Sequence, residues 1–154
     1  MTPAYWTQAS QDLARTDVVM AELVERHAGE SIVSRGDPFA TLVRSIVGQQ
    51  ISVKAADSVW ARLTAELPEP TPAEVLSRDP QTLRGCGLSV RKAEYDLDLA
   101  RHFASGQMHV GYWAAMSDAA IIAELTSVRG IGVWTAEMFL IFNQLRPDVF
   151  PLDD

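Results

Sequence analysis

The sequence is short of cysteine, of lysine and of long apolar runs. Its single cysteine, Cys86, forbids an intrachain disulfide. Nor can one thiol build a cysteine-ligated zinc site or an iron–sulfur cluster. A reducing, cytoplasmic compartment is the expectation. Of the 13 basic residues only Lys54 and Lys92 are lysines, a bias associated with GC-rich bacterial genomes. No apolar run approaches the roughly 20 residues that cross a bilayer, so no membrane association is expected. The opening Met1–Trp6 lacks the basic and apolar regions of a secretory signal. Positive charge is scarce as well: 13 Lys+Arg against 20 Asp+Glu leave a formal net charge of -7. Phosphate-binding proteins usually carry a basic footprint, so this balance argues against a broad electrostatic grip on phosphates.

What is there is ordinary globular material. The chain has 154 residues, 47% hydrophobic and 21% charged. That excludes wholesale disorder, a collagen-like repeat and a disulfide scaffold. The length suits one domain, 1–154, burying roughly two-thirds of its unfolded surface. No internal repeat, low-complexity segment or alternating strand stands out, and Pro68 to Pro72 is too short to mark a domain boundary.

The periodicity predicts helices throughout. Asp17 caps a helix through Val19, Met20, Leu23 and Val24, with Gly29 beyond its end. Asp37-Pro38 is an N-cap followed by proline at the first helical position. Phe39, Leu42, Val43, Ile46 and Val47 then form one apolar face, closed by Gly48. Ser52 caps the next helix, through Val59, Trp60, Leu63 and Leu67. Thr71 and Asp79-Pro80 begin two short helices, and Gly85-Cys86-Gly87 breaks the second. Ser89 caps a longer helix from about Val90 to Ala104. Ser117 or Asp118 starts one through Ile121, Ile122 and Leu125, and Val133 to about Leu145 is helical again. Met108, Trp113 and Met116 read as core. His27, His102 and His109 read as surface or structural residues, and Glu94, Asp96 and Asp98 as a solvated helix face.

The stretch from Leu125 to Ala136 is the most informative. Gly130-Ile131-Gly132 permits a sharp turn with positive φ and close approach by another backbone. It opens directly into a helix, whose unpaired amides and dipole make an anion site that needs no lysine. Gly-x-Gly by itself is more often a plain interhelical turn. The full context, helix, apolar-x-Gly-Ile-Gly-x-x-Thr-Ala, helix, is far more specific.

In that context the chain resembles the helix-hairpin-helix DNA glycosylase superfamily, with the hairpin at about 125–136. Three further motifs stand in the same order. They are Ile46-Val-Gly-Gln-Gln-Ile-Ser52, Leu83-Arg-Gly-Cys-Gly-Leu-Ser-Val-Arg-Lys-Ala93 and the loop Pro147-Asp-Val-Phe-Pro-Leu-Asp-Asp154. Together they are similar to the 3-methyladenine DNA glycosylase II branch, over about Arg35 to Asp154. The resemblance implies an all-α fold. In the family several helices follow the catalytic aspartate, so the fold would be incomplete at the C-terminus here.

It also implies roles for residues. Asp154 would be the catalytic carboxylate, with Asp153 its neighbour. Amides around Gly130, Gly132 and Thr135 would hold a phosphate beside the lesion. Carbonyls of Thr126, Val128 and Ile131 would hold a structural Na+ or K+. Gln50, with Gln49 beside it, would plug the gap left by a flipped base, and Trp134 and Met138 would face the base pocket. Bifunctional relatives carry a Schiff-base lysine where this chain has Trp134, so the resemblance implies a monofunctional enzyme. The substrate would be an alkylated purine in duplex DNA. Neither a required cofactor nor an iron–sulfur cluster is implied, and the expectation is a monomer acting on the nucleoid of a bacterium. A non-catalytic DNA-binding module would share the hairpin but needs neither the Pro-Leu-Asp-Asp end nor the Gly-Gln-Gln-Ile-Ser segment. An acidic helical interaction domain leaves all four motifs unexplained.

Overall fold

The computed structural model describes residues 2–152, so Asp153 and Asp154 lie outside the described residues. The described residues form helices and loops with no strand. In order they are α1 (Trp6–Thr16), α2 (Val18–Arg26), α3 (Pro38–Gly48), α4 (Val53–Glu66), α5 (Pro72–Ser77), α6 (Pro80–Gly85) and α7 (Val90–Ala104). A 3-10 turn (Val110–Ala115), α8 (Asp118–Thr126) and α9 (Val133–Phe142) complete the order.

The starts of α2 to α8 are set by local chemistry. A side-chain oxygen of Asp17, Asp37, Ser52, Thr71, Asp79, Ser89 or Ser117 accepts from an amide in the first turn of the helix it precedes. Ser117, not Asp118, is therefore the cap of α8. Each such cap contributes about 1 kcal/mol. At α9 the N-cap position is Gly132, which has no side chain to offer.

Helix α3 is the hub. Its Leu42, Val43, Ile46 and Val47 are fully buried, and it packs against α4, α7 and α9. Fully burying a side chain of that size contributes about 1.5–3 kcal/mol, so this one face outweighs the cap of the same helix. An edge-to-face series of rings crosses the core. Phe39 meets Phe103 at 5.1 Å, Phe103 meets Trp113 at 6.2 Å, and Trp113 meets Phe139 at 5.4 Å between centroids. Met108 and Trp113 are buried and Met116 packs on the core, as the sequence predicts. The Trp113 indole N–H donates to Glu124 at 2.8 Å, and His109 also bonds that carboxylate. These contacts pin the 3-10 turn to α8.

Two sequence expectations need correction, and one helix lies outside them. α1, for which no expectation was made, carries no side-chain cap and no buried residue. α9 stops at Phe142, short of Leu145. The Asn143 side chain donates to Gly36 O at 3.0 Å and Thr41 Oγ1 at 3.1 Å, and Leu145 takes a positive φ of 54°. These tertiary bonds end the helix where the apolar pattern did not. The acidic cluster on α7 is a solvated face only in part: Glu94 is exposed and Asp98 half-buried, but Asp96 is enclosed. Asp96 is 1% exposed, neither of its carboxylate oxygens has a hydrogen-bond partner, and burial pushes its pKa well up, against the opposing charge of Lys92. Glu94 and Asp98 hold Arg129 of the hairpin.

Two outcomes test this packing. Gly130 has φ +88°, and a Cβ there would collide with the Tyr95 ring. Left-handed strain and overpacking each cost about 1–3 kcal/mol. Gly130→Ala should therefore lower Tm by roughly 4–24 °C in a thermal melt, at 2–4 °C per kcal/mol. An unchanged Tm would exclude the close packing. For Asp96 the folded pKa lies above the unfolded value of about 3.9. The stability from its protonation is then complete below about pH 4 and is lost as pH rises toward the folded pKa. The Tm advantage of Asp96→Asn over the unmutated chain should grow from pH 4 to pH 8. A difference independent of pH would mean that Asp96 titrates normally.

Candidate functional site

The apolar face of α3 buries its own side and leaves its polar side lining a cleft of about 730 Å³ between α3, α4 and α9. Gln49, Gln50, Trp134, Thr135 and Met138 all line this cleft. The sequence had placed them in two motifs some 85 residues apart, and the α3–α9 contact brings them together. Trp134 remains 43% exposed at the cleft wall while Thr135 is buried. Met138 comes one helical turn after Trp134, as its spacing predicts.

The two glutamines differ. Gln49 is the C-cap of α3, and its Nε2 donates to the carbonyl oxygen of Gly130 at 2.7 Å. It ties the end of α3 to the hairpin. Gln50 is exposed, with a positive φ of 58°, and so stands at the turn between α3 and α4. A non-glycine residue in that region is uncommon, and its strain is held in place by surrounding structure.

The hairpin joins α8 to α9 through residues 127–132. Val128 and Ile131 are buried, and Ile131 N donates to Val128 O at 3.2 Å. From behind, Tyr95 fills the space that a Gly130 side chain would need. Asp98 Oδ2 accepts from Arg129 N at 3.0 Å, and Glu94 accepts from the Arg129 guanidinium at 3.0 Å. The one basic side chain of the hairpin is thus drawn toward α7. At the front, the amides of Gly130, Gly132 and Thr135 donate to no carbonyl or side-chain group among the described residues. A Cβ at Gly132 would meet nothing within 4 Å, so that end of α9 is open. The chemistry on offer is an anion site made of backbone amides and the positive end of a helix.

The carbonyls of Thr126 and Ile131 accept no backbone hydrogen bond outside the helix ladder among the described residues, whereas that of Val128 takes Ile131 N. Such a set offers only oxygen donors. No group of three or more His, Cys, Asp or Glu side chains stands together among the described residues. Cys86 is buried, and burial raises its thiol pKa.

Several cleft residues were not marked by the sequence. The Arg44 guanidinium pairs with Asp57 at 3.0 Å and lies 5.7 Å from the centre of the Trp60 ring. Arg35 stacks over Phe142 at 4.5 Å. A signal existed for Arg44, the only charged residue of α3. Trp60 stood among the apolar residues of α4 with nothing to set it apart, and it is half-buried at the cleft. Nothing in the sequence links Arg35 to Phe142.

Known proteins share this fold. The chain is 33% identical over 139 residues to DNA-3-methyladenine glycosylase 1 of Schizosaccharomyces pombe, covering 88% of this chain and 61% of that protein. It therefore spans less than two thirds of that relative's length. Among solved structures, the DNA-3-methyladenine glycosidase of Bacillus halodurans superimposes with a TM-score of 0.82 at 32% identity, over 94% of this chain and 68% of that one. The 3-methyladenine DNA glycosylase of Schizosaccharomyces pombe in complex with abasic DNA gives 0.81 at 31%, over 96% and 75%. The family described as HhH-GPD superfamily base excision DNA repair protein matches residues 43–154. With motif order, all-helical architecture and hairpin in agreement, the chain belongs to the HhH-GPD superfamily.

Proposed function

We propose that the chain is a monofunctional DNA glycosylase that hydrolyses the N-glycosidic bond of alkylated purines, of the 3-methyladenine and 7-methylguanine type, in duplex DNA. One observation carries the reading. An exposed tip, an aromatic wall and an uncapped helix N-terminus converge on a single cleft. Relatives named 3-methyladenine glycosylases support it.

The roles are those that the family resemblance implies, and chemistry accounts for each. Amides of Gly130, Gly132 and Thr135 take a phosphate next to the lesion. Taking the base out of the stack costs a few kcal/mol, least for a damaged base. Gln50 at the turn fills the gap, and Gln49 holds that turn to the hairpin. An N3- or N7-alkylated purine is already cationic and leaves without protonation. Trp134, with Met138 beside it, favours such a base by cation–π attraction. The Asp154 carboxylate stabilises oxocarbenium-like charge on the sugar and orients water, as carboxylates do in glycoside hydrolysis. The resemblance sets Trp134 where bifunctional relatives carry a Schiff-base lysine, so no lyase chemistry is expected. The oxygens of Thr126, Val128 and Ile131 suit Na+ or K+, which when bound adds positive field beside the phosphate. No other cofactor enters the reaction. The enzyme acts as a monomer on the nucleoid, in the bacterial cytoplasm; among the described residues no helix is long and apolar enough to cross a membrane.

Base release from methylated duplex DNA is the direct test. Asp154→Asn should lower the rate at least 100-fold with DNA affinity retained, and Asp153→Asn should lower it much less. DNA binding with no release from alkylated substrates by the unmutated chain would leave a non-catalytic clamp instead.

Gly132→Asp tests the anion site. The new carboxylate has room and would cap α9, which favours the fold by about 1 kcal/mol or less. It would also occupy the amides and repel phosphate. Tm should stay level or rise while affinity for abasic-site duplex falls tenfold or more. Unchanged affinity would remove the hairpin from the binding surface.

A further inference from the structure

Lys92 is one of the chain's two lysines, and it belongs to neither the hairpin nor the cleft lining. It stands in the first turn of α7 and reaches across to α3. Its Nζ donates to the carbonyl oxygen of Val47 at 2.7 Å. That carbonyl lies in the last turn of α3, where a helix leaves its C=O groups unpaired. The carbonyl of Ile46 beside it takes Gln49 N at 3.2 Å.

A competing partner was available. Asp96 is one helical turn along α7 from Lys92, and its carboxylate oxygens have no hydrogen-bond partner. The lysine nevertheless bonds the helix end. Desolvation works against the Lys92 charge, and the nearby Asp96 works for it. A cation at a helix C-terminus also meets the negative end of the dipole, a gain that grows when the site is partly buried.

The three residues after Val47 give this bond its consequence. Gly48 ends α3, Gln49 clamps to Gly130 O, and Gln50 turns with positive φ. The turn is therefore held from two sides. Lys92 holds it from α7, just before it begins, and the hairpin holds it at Gln49. Loss of either anchor frees a strained residue to relax.

We propose that Lys92 is a positioning residue for the tip, fixing the end of α3 so that Gln50 enters the gap left by the extruded nucleotide. The proposal rests on the glycosylase reading and adds a second anchor to it. A misplacement of about 1 Å at such a point costs on the order of 100-fold in rate, so an anchor remote from the reacting bond has a large effect.

The test uses duplex DNA with an abasic site and 2-aminopurine opposite it, whose fluorescence rises when it is unstacked. At saturating chain, Lys92→Met should lose at least four-fifths of the rise, whereas Lys92→Arg, which can still donate to Val47 O, should keep at least half. Affinity for the duplex should fall less than fivefold, because the hairpin amides are untouched. Should Lys92→Met not fold, Lys92→Gln takes its place with the same expected loss. A full rise with the neutral variant would overturn the proposal. So would losses in both variants that merely track the unfolded fraction in a thermal melt. Absence of any rise with the unmutated chain would overturn it together with the tip role of Gln50. The glycosylase reading is judged separately, by base release from methylated DNA.

Discussion

The contact between the Gly130 backbone and the Tyr95 ring holds the hairpin to α7, and the rest of the site depends on it. Only a residue without a Cβ admits that approach, and only at positive φ does the chain then turn into α9. With the hairpin seated, Gly130 O is placed to receive Gln49, Trp134 lines the cleft, and the amides of Gly132 and Thr135 have no protein acceptor among the described residues. The acidic residues of α7 complete the seat by taking Arg129 from its amide and from its guanidinium. One helix thus holds both the hairpin and, through Lys92, the end of α3.

The same contacts bear on the charge. A formal net charge of -7 opposes a long-range electrostatic grip, which relies on many lysines and arginines. It does not oppose a local one. The hairpin offers amides and a helix dipole, and its arginine is engaged by Glu94. Within the cleft Arg44 is balanced by Asp57, and Arg35 lies against an aromatic ring. An anion at the hairpin would meet short-range donors, whose strength depends less on the chain's total charge than a long-range grip does.

Much of this was legible along the chain. Asp17, Asp37, Ser52, Thr71, Asp79, Ser89 and Ser117 announced their helices, because a cap is a bond between residues two or three apart. The face of α3 was equally plain, because helical periodicity is local. So were the hairpin, the glutamine pair and the spacing of Trp134 and Met138. The family is legible in these motifs and their order.

Other features have no local signature. Burial of Asp96 depends on which elements cover α7, so three acidic residues in a row looked alike although one is enclosed and two hold Arg129. The end of α9 was decided by Asn143 reaching back to Gly36 and Thr41, about a hundred residues earlier. Trp60 and Arg44 became cleft residues only when α4 packed beside α3, and Lys92 became an anchor only when α7 met the end of that helix. The sequence by itself determined the helices, their caps and the family, since these rest on neighbours along the chain. Tertiary structure alone decided which polar groups are enclosed, which are paired and which face the cleft, since those depend on distances that no spacing in the sequence encodes.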